Sequence, residues 1–378
     1  MKDITKLCNK ALEVTSNLAA IRQKRGTSAA ELAAKAGVTR QAIYVMEAGT
    51  YVPNTAVGLR MARVLGVAVE DLFALSCEER IESVTLLPSG ERWQAGQAVQ
   101  LCKVNGKLMA TGVTSSGGFL PASDATLMTA GGASRGTAKA ALHEPDLNLD
   151  NRLLLAGCDP AMTVLARHLQ PLGVEIVLIH QNSSQSLALL KHGRVHIAGT
   201  HLRDEASDES NLPAIRKSFR SSAAVISFAV AEEGLLAATG NPKQIKGAED
   251  LARKDVAFVN REEGSGSRQL LDRQLDRSKV NKKDIRGYLQ IVSGHLAAAA
   301  EVKSGRADCC VATEATARAF GLHFIPLASL RYDLVFQKQH LNLPAIQTLI
   351  DAMNRSSFRR KLESVGGYET RVTGARVM

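Results

Sequence analysis

The stretch from Gly26 to Gly49, GTSAAELAAKAGVTRQAIYVMEAG, admits few folds. Ser28 followed three residues later by Glu31 is a capping box, which starts a helix. Leu32, Ala33 and Ala36 then recur at helical spacing. Gly37 stops that helix, because a residue tolerant of a left-handed backbone ends one at least cost. Val38 fills the corner, Thr39 caps a second helix, and Ile43 and Met46 form its buried side. Thr39, Arg40, Gln41, Tyr44 and Val45 are left on a face with no core to enter. The major groove of DNA accepts a short helix of this kind, with Arg able to grip guanine and Gln adenine through paired hydrogen bonds.

These residues carry a resemblance. Asn17 to about Phe73 resembles the all-α, five-helix DNA-binding domain of phage repressors and Cro/XRE-like regulators. The matching pieces are NLAAIRQKRG, TSAAELAAKAG, VTRQAIYVMEAGTYVPN and ARVLGVAVEDLF. The resemblance implies double-stranded DNA as a partner and a homodimer that reads two half-sites. The chain departs from the family pattern at Ala29 and Ala30, where such domains often place a phosphate-holding Gln.

Length, charge and cysteine usage agree with that expectation. A chain of 378 residues suits two or three domains. Its net charge is +10, and between Asn17 and Leu65 seven basic residues face two acidic ones, which suits a polyanionic partner. The six cysteines, Cys8, Cys77, Cys102, Cys158, Cys309 and Cys310, form no CxxC pair, and no histidine cluster has metal-ligand spacing. No metal and no cofactor is therefore expected. Reduced thiols, with no signal segment and no membrane-length apolar run, point to a cytoplasmic protein without membrane contact.

Three regions emerge from the patterning: 1–75, 76–150 and 151–378. In 1–16, Leu7, Ala11 and Val14 share a helical face with Leu18, which predicts an extra N-terminal helix. Region 76–150 reads as a linker with a small β-element, including a hairpin at Asn105–Gly106, a pair suited to the type I′ turn. From Arg152 strands alternate with helices, which predicts a parallel sheet covered by helices. The expected elements include a helix over NPKQIKGAEDLAR and two separate late strands, HFIPL and YDLVFQ.

The second site-bearing stretch is VNREEGSGSRQLLD, where a strand runs into a Gly/Ser loop that opens a helix. Gly264, Ser265, Gly266, Ser267 and Arg268 have the chemistry of an anion nest. No Gly-Lys-Ser/Thr follows, so it is not a nucleotide P-loop. Residues 152–378 resemble the bilobed, type II periplasmic-binding-protein-like domain of the molybdate/tungstate type. The matching pieces are LLAGCDPAMTVLARHL, SSQSLALLKHGRVHIAGTHL, NREEGSGSRQLLD, GHLAAAAEVKSGRADCCVA and LHFIPLASLRYDLVF. The resemblance implies a small molecule or oxyanion held between two lobes. Ser183, Ser184 and Ser186 would face it from one lobe, and Gly264 to Arg268 from the other. His201 joins the ligand-binding candidates. His295, Arg261 and Tyr332–Asp333 carry less weight. Asp159 and Glu262–Glu263 stand against an unprotonated oxyanion: either they point away, or the ligand is organic and offers donors. The expected function is a one-component DNA-binding regulator that senses a small ligand such as molybdate or tungstate. The alternative is an enzyme or carrier of molybdenum cofactor metabolism that carries a DNA-binding module. No nucleophile–base pair or paired-carboxylate motif argues for catalysis.

Overall fold

The computed structural model describes residues 14–75, 80–88, 92–113, 122–129, 136–144, 146–204 and 209–378. Two compact units divide the chain, Met1–Ile81 and Glu82–Met378. In the first, β1 (Val14–Ser16) precedes five helices: α1 (Leu18–Lys24), α2 (Ala29–Ala36), α3 (Arg40–Glu47), α4 (Thr55–Leu65) and α5 (Val69–Leu72). Side chains cap three of them at the N-terminus. Ser28 accepts from the Glu31 amide, Thr39 from Ala42 and Asn54 from Val57. Gly37 and Gly66 close α2 and α4 in the left-handed conformation. Leu18, Leu32, Ala36, Ile43, Met46, Met61, Leu65 and Leu72 pack into one core. The half-buried Arg22–Glu47 ion pair, at 2.5 Å, ties α1 to the end of α3.

Val14–Ser16 does not continue an N-terminal helix. It pairs antiparallel with β2 (Phe73–Leu75). Its β-branched Val14 and Thr15 suit a strand, and the chain leaving α5 supplies the partner. The rest of the expected helix, 1–13, lies outside the described residues.

The second unit begins with more than a small β-element. The strands β3 (Ile81–Leu86), β4 (Ala98–Val104), β5 (Lys107–Gly112), β6 (Ala125–Leu127) and β7 (Thr137–Leu142) close a barrel in the order β3-β5-β4-β6-β7. Asn105 and Gly106 turn the β4–β5 hairpin with φ of 50° and 76°, as a type I′ turn requires. Val84, Leu86, Val99, Leu101, Ala125 and Ala140 fill the barrel. Hydrogen bonds join the barrel to the α/β region on its C-terminal side. Arg152 Nη1 donates to the Leu101 carbonyl at 3.0 Å and to Asp124 at 2.6 Å, and His340 Nε2 lies 2.8 Å from Asn105 Oδ1. The boundary expected at 150 thus falls inside a packed contact.

The α/β region starts with β8 (Arg152–Gly157), α6 (Met162–Leu169), β9 (Glu175–His180), α7 (Ser183–Lys191), β10 (Ile197–Thr200) and α8 (Leu212–Phe219). Then come β11 (Ala223–Ala237), β12 (Asn260–Arg261), α9 (Gly266–Arg277), β13 (Ile291–Val292), α10 (His295–Lys303), β14 (Cys309–Thr313) and α11 (Glu314–Phe320). The chain finishes with β15 (His323–Gln337), α12 (Pro344–Asn354), α13 (Ser356–Val365) and β16 (Tyr368–Glu369). The main sheet has the order β14-β11-β15-β10-β8-β9, with β16 on β11.

Two features make this region bilobed. The expected late strands are one 15-residue strand, β15, which pairs along nearly its whole length with the 15-residue β11. Both cross from a first lobe, with β8, β9 and β10, to a second, with β14. Apolar residues sit on both faces of the sheet in each lobe, because helices cover both sides. The helix expected over Asn241–Arg253 is only a 3-10 turn at Ala248–Ala252. Asn241 and Gln244 take positive φ there, and the Asn241 side chain brackets Ile245 through two hydrogen bonds, fixing a loop instead.

Candidate ligand cleft and nucleic-acid interface

On the first unit, Thr39, Arg40, Gln41 and Tyr44 are exposed along one side of α3, and Val45 is half-buried. Helical spacing alone sets that face, since Ile43 and Met46 turn the opposite side into the core. The Arg40 guanidinium donates to the Tyr44 hydroxyl, with Nη2 at 2.9 Å, and lies 5.5 Å from the ring centroid. Gln41, by contrast, makes no hydrogen bond through its side chain among the described residues. With Thr39 and Val45 it lines a shallow groove completed by Tyr51, Pro53 and Val57.

In the second unit the two serine-bearing loops meet. Asn182 caps α7, and its Nδ2 donates across the lobes to the Glu263 carbonyl at 3.0 Å. The Ser184 amide donates to the Gly264 carbonyl at 3.3 Å. Gly264 has φ of +83°, and a Cβ on it would stand 3.1 Å from Ser184 Cβ. Gly266 begins α9 against His201, where a Cβ would lie 2.3 Å from the imidazole Cδ2. Only glycine allows that approach.

The expected ligand residues do not share one role. Ser183 Oγ accepts from the His201 amide at 3.2 Å and lies 3.3 Å from its Nδ1. Ser267 donates to Glu233. Ser265 caps α9, accepting from the Arg268 amide and donating to the Glu262 carbonyl. Ser186 donates to the Gln181 carbonyl, and Ser184 is exposed at the lobe contact. Arg268 is turned aside: it pairs with Asp272, stacks 4.2 Å from the Tyr288 centroid and donates to the Arg261 carbonyl. Glu262 is likewise engaged, by the fully buried Arg261 at 2.9 Å. Burial works against the Arg261 charge, but the Glu262 hydrogen bond and the nearby acidic groups, Glu233 among them, together outweigh it, so its pKa lies above the ordinary value.

Under these loops lies a cavity of about 10 Å³, lined by Asp159, His201, Ala231, Glu233, His295, Thr313, Leu330 and Tyr332. That is room for roughly one water-sized sphere. Asp159 follows β8, His201 follows β10, and His295 opens α10, so these reach the cavity from strand ends or helix starts, as in open α/β sheets generally; Cys158, also after β8, lies beside His201. Glu233 projects from β11 beside an irregularity in its pairing with β15. Burial pushes the Asp159 carboxyl up to about 6, against hydrogen bonds from Tyr368 and the Ala161 amide. Burial lowers the pKa of His201 and lowers that of His295 well below the ordinary value, so both rings are neutral near pH 7. Asp333, a sequence candidate, is instead held by Asn211 and Arg331. Tyr332 accepts from the Cys158 amide at 3.3 Å and stacks on His201.

Sequence reasoning missed Glu233 and Thr313, polar residues that line the cavity, and Cys158, which stands behind it against His201. The readable signal for Glu233 was a pair of charges inside the otherwise apolar AAVISFAVAEEGLLA. Cys158 offered none beyond following a strand. Its Sγ lies 3.8 Å from His201 Nδ1, yet burial pushes the thiol up to about 12, whereas a nucleophilic cysteine works as thiolate. Among the described residues no helix is long and apolar enough to cross a membrane.

Residues 166–354 match the model of the PBP superfamily domain, and residues 18–72 match a helix-turn-helix model. The chain is 34% identical over 224 residues to the uncharacterized protein YvgK of Bacillus subtilis (strain 168), covering 59% of this chain and 72% of that one. It is 41% identical over 58 residues to an uncharacterized HTH-type transcriptional regulator of Archaeoglobus fulgidus, covering 15% of this chain and 83% of the relative. Among solved structures, a phosphate-bound putative phosphate ABC transporter substrate-binding protein from Clostridium perfringens superposes with a TM-score of 0.45 at 13% identity, over 58% of this chain and 98% of that one. The chain therefore belongs to the PBP superfamily, and it joins that domain to a Cro/XRE-type helix-turn-helix domain on its N-terminal side.

Proposed function

We propose that the chain is a one-component transcriptional regulator, in which the helix-turn-helix unit binds double-stranded DNA and the bilobed unit senses a small ligand. The observation that carries this reading is the pairing, in one chain, of an exposed Arg40–Gln41 face with a buried polar cavity between two lobes. Binding as a homodimer follows from how little DNA one recognition helix spans. A protein that binds DNA works in the compartment that holds it, and the four described cysteines, all free and buried, agree with reducing conditions there. The protonated Cys158 and the neutral histidines support binding rather than catalysis.

Ser183, His201 and Ser267 are the ligand-facing residues in this reading, while Ser265, Ser186 and Arg268 hold the loops in place. The molybdate/tungstate resemblance supplies one candidate ligand. A tetrahedral oxyanion needs the lobes to part beyond a 10 Å³ cavity and must tolerate the Glu233 carboxylate. The test is fluorescence anisotropy on DNA from upstream of the protein's own coding sequence, across salt concentrations, with and without molybdate. Salt-dependent, sequence-selective binding that shifts with molybdate supports the proposal. Equal binding to scrambled duplex overturns the regulator reading, and a selective but molybdate-insensitive complex removes molybdate as the ligand.

A further inference from the structure

We propose that Cys158, His201 and His295 form a site for one divalent transition-metal ion of borderline softness, such as Zn²⁺, held between the two lobes. The thiol sulfur and one ring nitrogen of each histidine lie within 4.8 Å of one another, and all three residues are buried. Thiolate plus two imidazoles is a donor set that favours such ions over Mg²⁺ or Ca²⁺.

A second observation points the same way. His201 Nε2, His295 Nδ1 and Glu233 Oε2 are buried with no hydrogen-bond partner. Their residues are only 5%, 1% and 1% exposed. Leaving such groups buried and unpaired is costly, and native proteins hold few. The three converge: Glu233 Oε2 is 3.9 Å from His201 Nε2, and Glu233 Oε1 is 3.9 Å from His295 Nδ1. Those gaps are too long for hydrogen bonds. Metal bonds of about 2.0–2.3 Å give ligand–ligand edges of roughly 3.3–3.6 Å, so a contraction of about 1 Å from the widest spacing completes the site. The cavity beside these groups, about 10 Å³ and lined by His201, His295 and Glu233, has room for a monatomic ion.

The ligands come from different parts of the fold. Cys158 and His201 follow strands of the first lobe, His295 opens a helix of the second, and Glu233 sits on a strand that crosses between them. A bound ion therefore ties the lobes together. On binding, the Cys158 S–H bond breaks, its proton goes to solvent, and an Sγ–metal bond replaces it, with no change of oxidation state. Glu233 faces His201 Nε2 and His295 Nδ1, which places its carboxylate as a further oxygen ligand to an ion held there.

This inference rests on the cleft being the ligand-sensing site. The probe is Co²⁺ alone, titrated into the metal-stripped full-length protein, its Cys158→Ser and His295→Ala variants, and a Cys102→Ser control, with circular dichroism to confirm folding. The parent and the control are expected to show d–d bands of tetrahedral Co²⁺ and a thiolate-to-cobalt charge-transfer band. Cys158→Ser should lose the charge-transfer band, and both cavity variants should bind Co²⁺ about 100-fold or more weakly. Absence of the bands in the parent, or a charge-transfer band that persists in folded Cys158→Ser, overturns the site. The DNA titration run on the same samples separates the two readings. A DNA response to molybdate without Co²⁺ binding sinks the metal site and leaves ligand sensing standing. Co²⁺ bound through Cys158 with no small ligand altering DNA affinity does the reverse.

Discussion

At the scale of single residues, Gln41 and His196 make opposite demands on their surroundings. Gln41 stands in solvent on the N-terminal turn of α3, with its amide free to pair with a base edge. Gln41→Ala is expected to cost about 1–3 kcal/mol at the cognate site and little on non-specific DNA. Titration on cognate and scrambled duplexes decides it, and equal losses on both would mean that Gln41 reads no base. Arg40, held by the Tyr44 hydroxyl, should show a smaller selective effect. His196 is buried, with Nδ1 accepting from the Leu154 amide at 3.0 Å. Burial, with the nearby His340, lowers its pKa to about 4. The depressed folded value means that the stability tied to neutral His196 is fully present above the unfolded pKa near 6.5. It is lost as pH falls toward 4, in an amount up to about 3 kcal/mol. The fall in melting temperature between pH 7.5 and 4.5 should be smaller in His196→Asn, which keeps an acceptor but no titrating ring. Identical falls in parent and variant would remove His196 from the acid response.

At the scale of elements, the start of α9 concentrates several constraints. Ser265→Ala deletes the cap on the Arg268 amide and should lower stability by about 1 kcal/mol. Gly266→Ala drives a methyl into His201 and should cost about 1–3 kcal/mol more than a typical surface change. Denaturant titration of each variant measures both, and a neutral Gly266→Ala would mean that the His201 ring moves freely. The barrel is a second such element. Arg152 makes one of the bonds that join it to the first lobe, paired with Asp124 on the barrel side. A fragment beginning at residue 150 loses Asp124 and leaves that guanidinium with Glu175 alone, whereas one beginning at residue 80 keeps both pairs. Proteolysis should therefore yield a stable fragment starting near 80. Recovery of a folded fragment from 150 onward would show that the barrel is dispensable.

For the whole molecule, the proposed sensing requires a ligand that favours one lobe arrangement over another, since a ligand moves such an equilibrium only through its differential affinity. Asn182 caps α7 and also bonds to the Glu263 carbonyl across the lobes. Asn182→Ala should raise hydrogen exchange at both loops, 182–186 and 262–268, and weaken cleft-ligand binding about fivefold, one lost hydrogen bond of roughly 1 kcal/mol. Unchanged exchange at 262–268 would show that the contact does not hold the lobes together.

What the sequence determined by itself is what depends on neighbours along the chain. Caps at Ser28 and Thr39, the stop at Gly37, the turn at Asn105–Gly106 and the Gly264–Arg268 loop are all local geometry, and they were legible because a few consecutive residues decide them. The family resemblances likewise rest on ordered motifs. Only the tertiary structure decided the rest. Val14–Ser16 became a strand because Phe73–Leu75 supplied hydrogen-bond partners some 60 positions away. The loose-looking 76–150 region closed a barrel because strands with weak individual patterns found non-local partners. Cys158, His201, Glu233 and His295 are scattered along the chain with no spacing that marks a site. Their meeting is a property of the parallel strands β8 and β10 of a mixed sheet, which end side by side, and of the two long antiparallel strands that bring a second lobe's helix up to those ends.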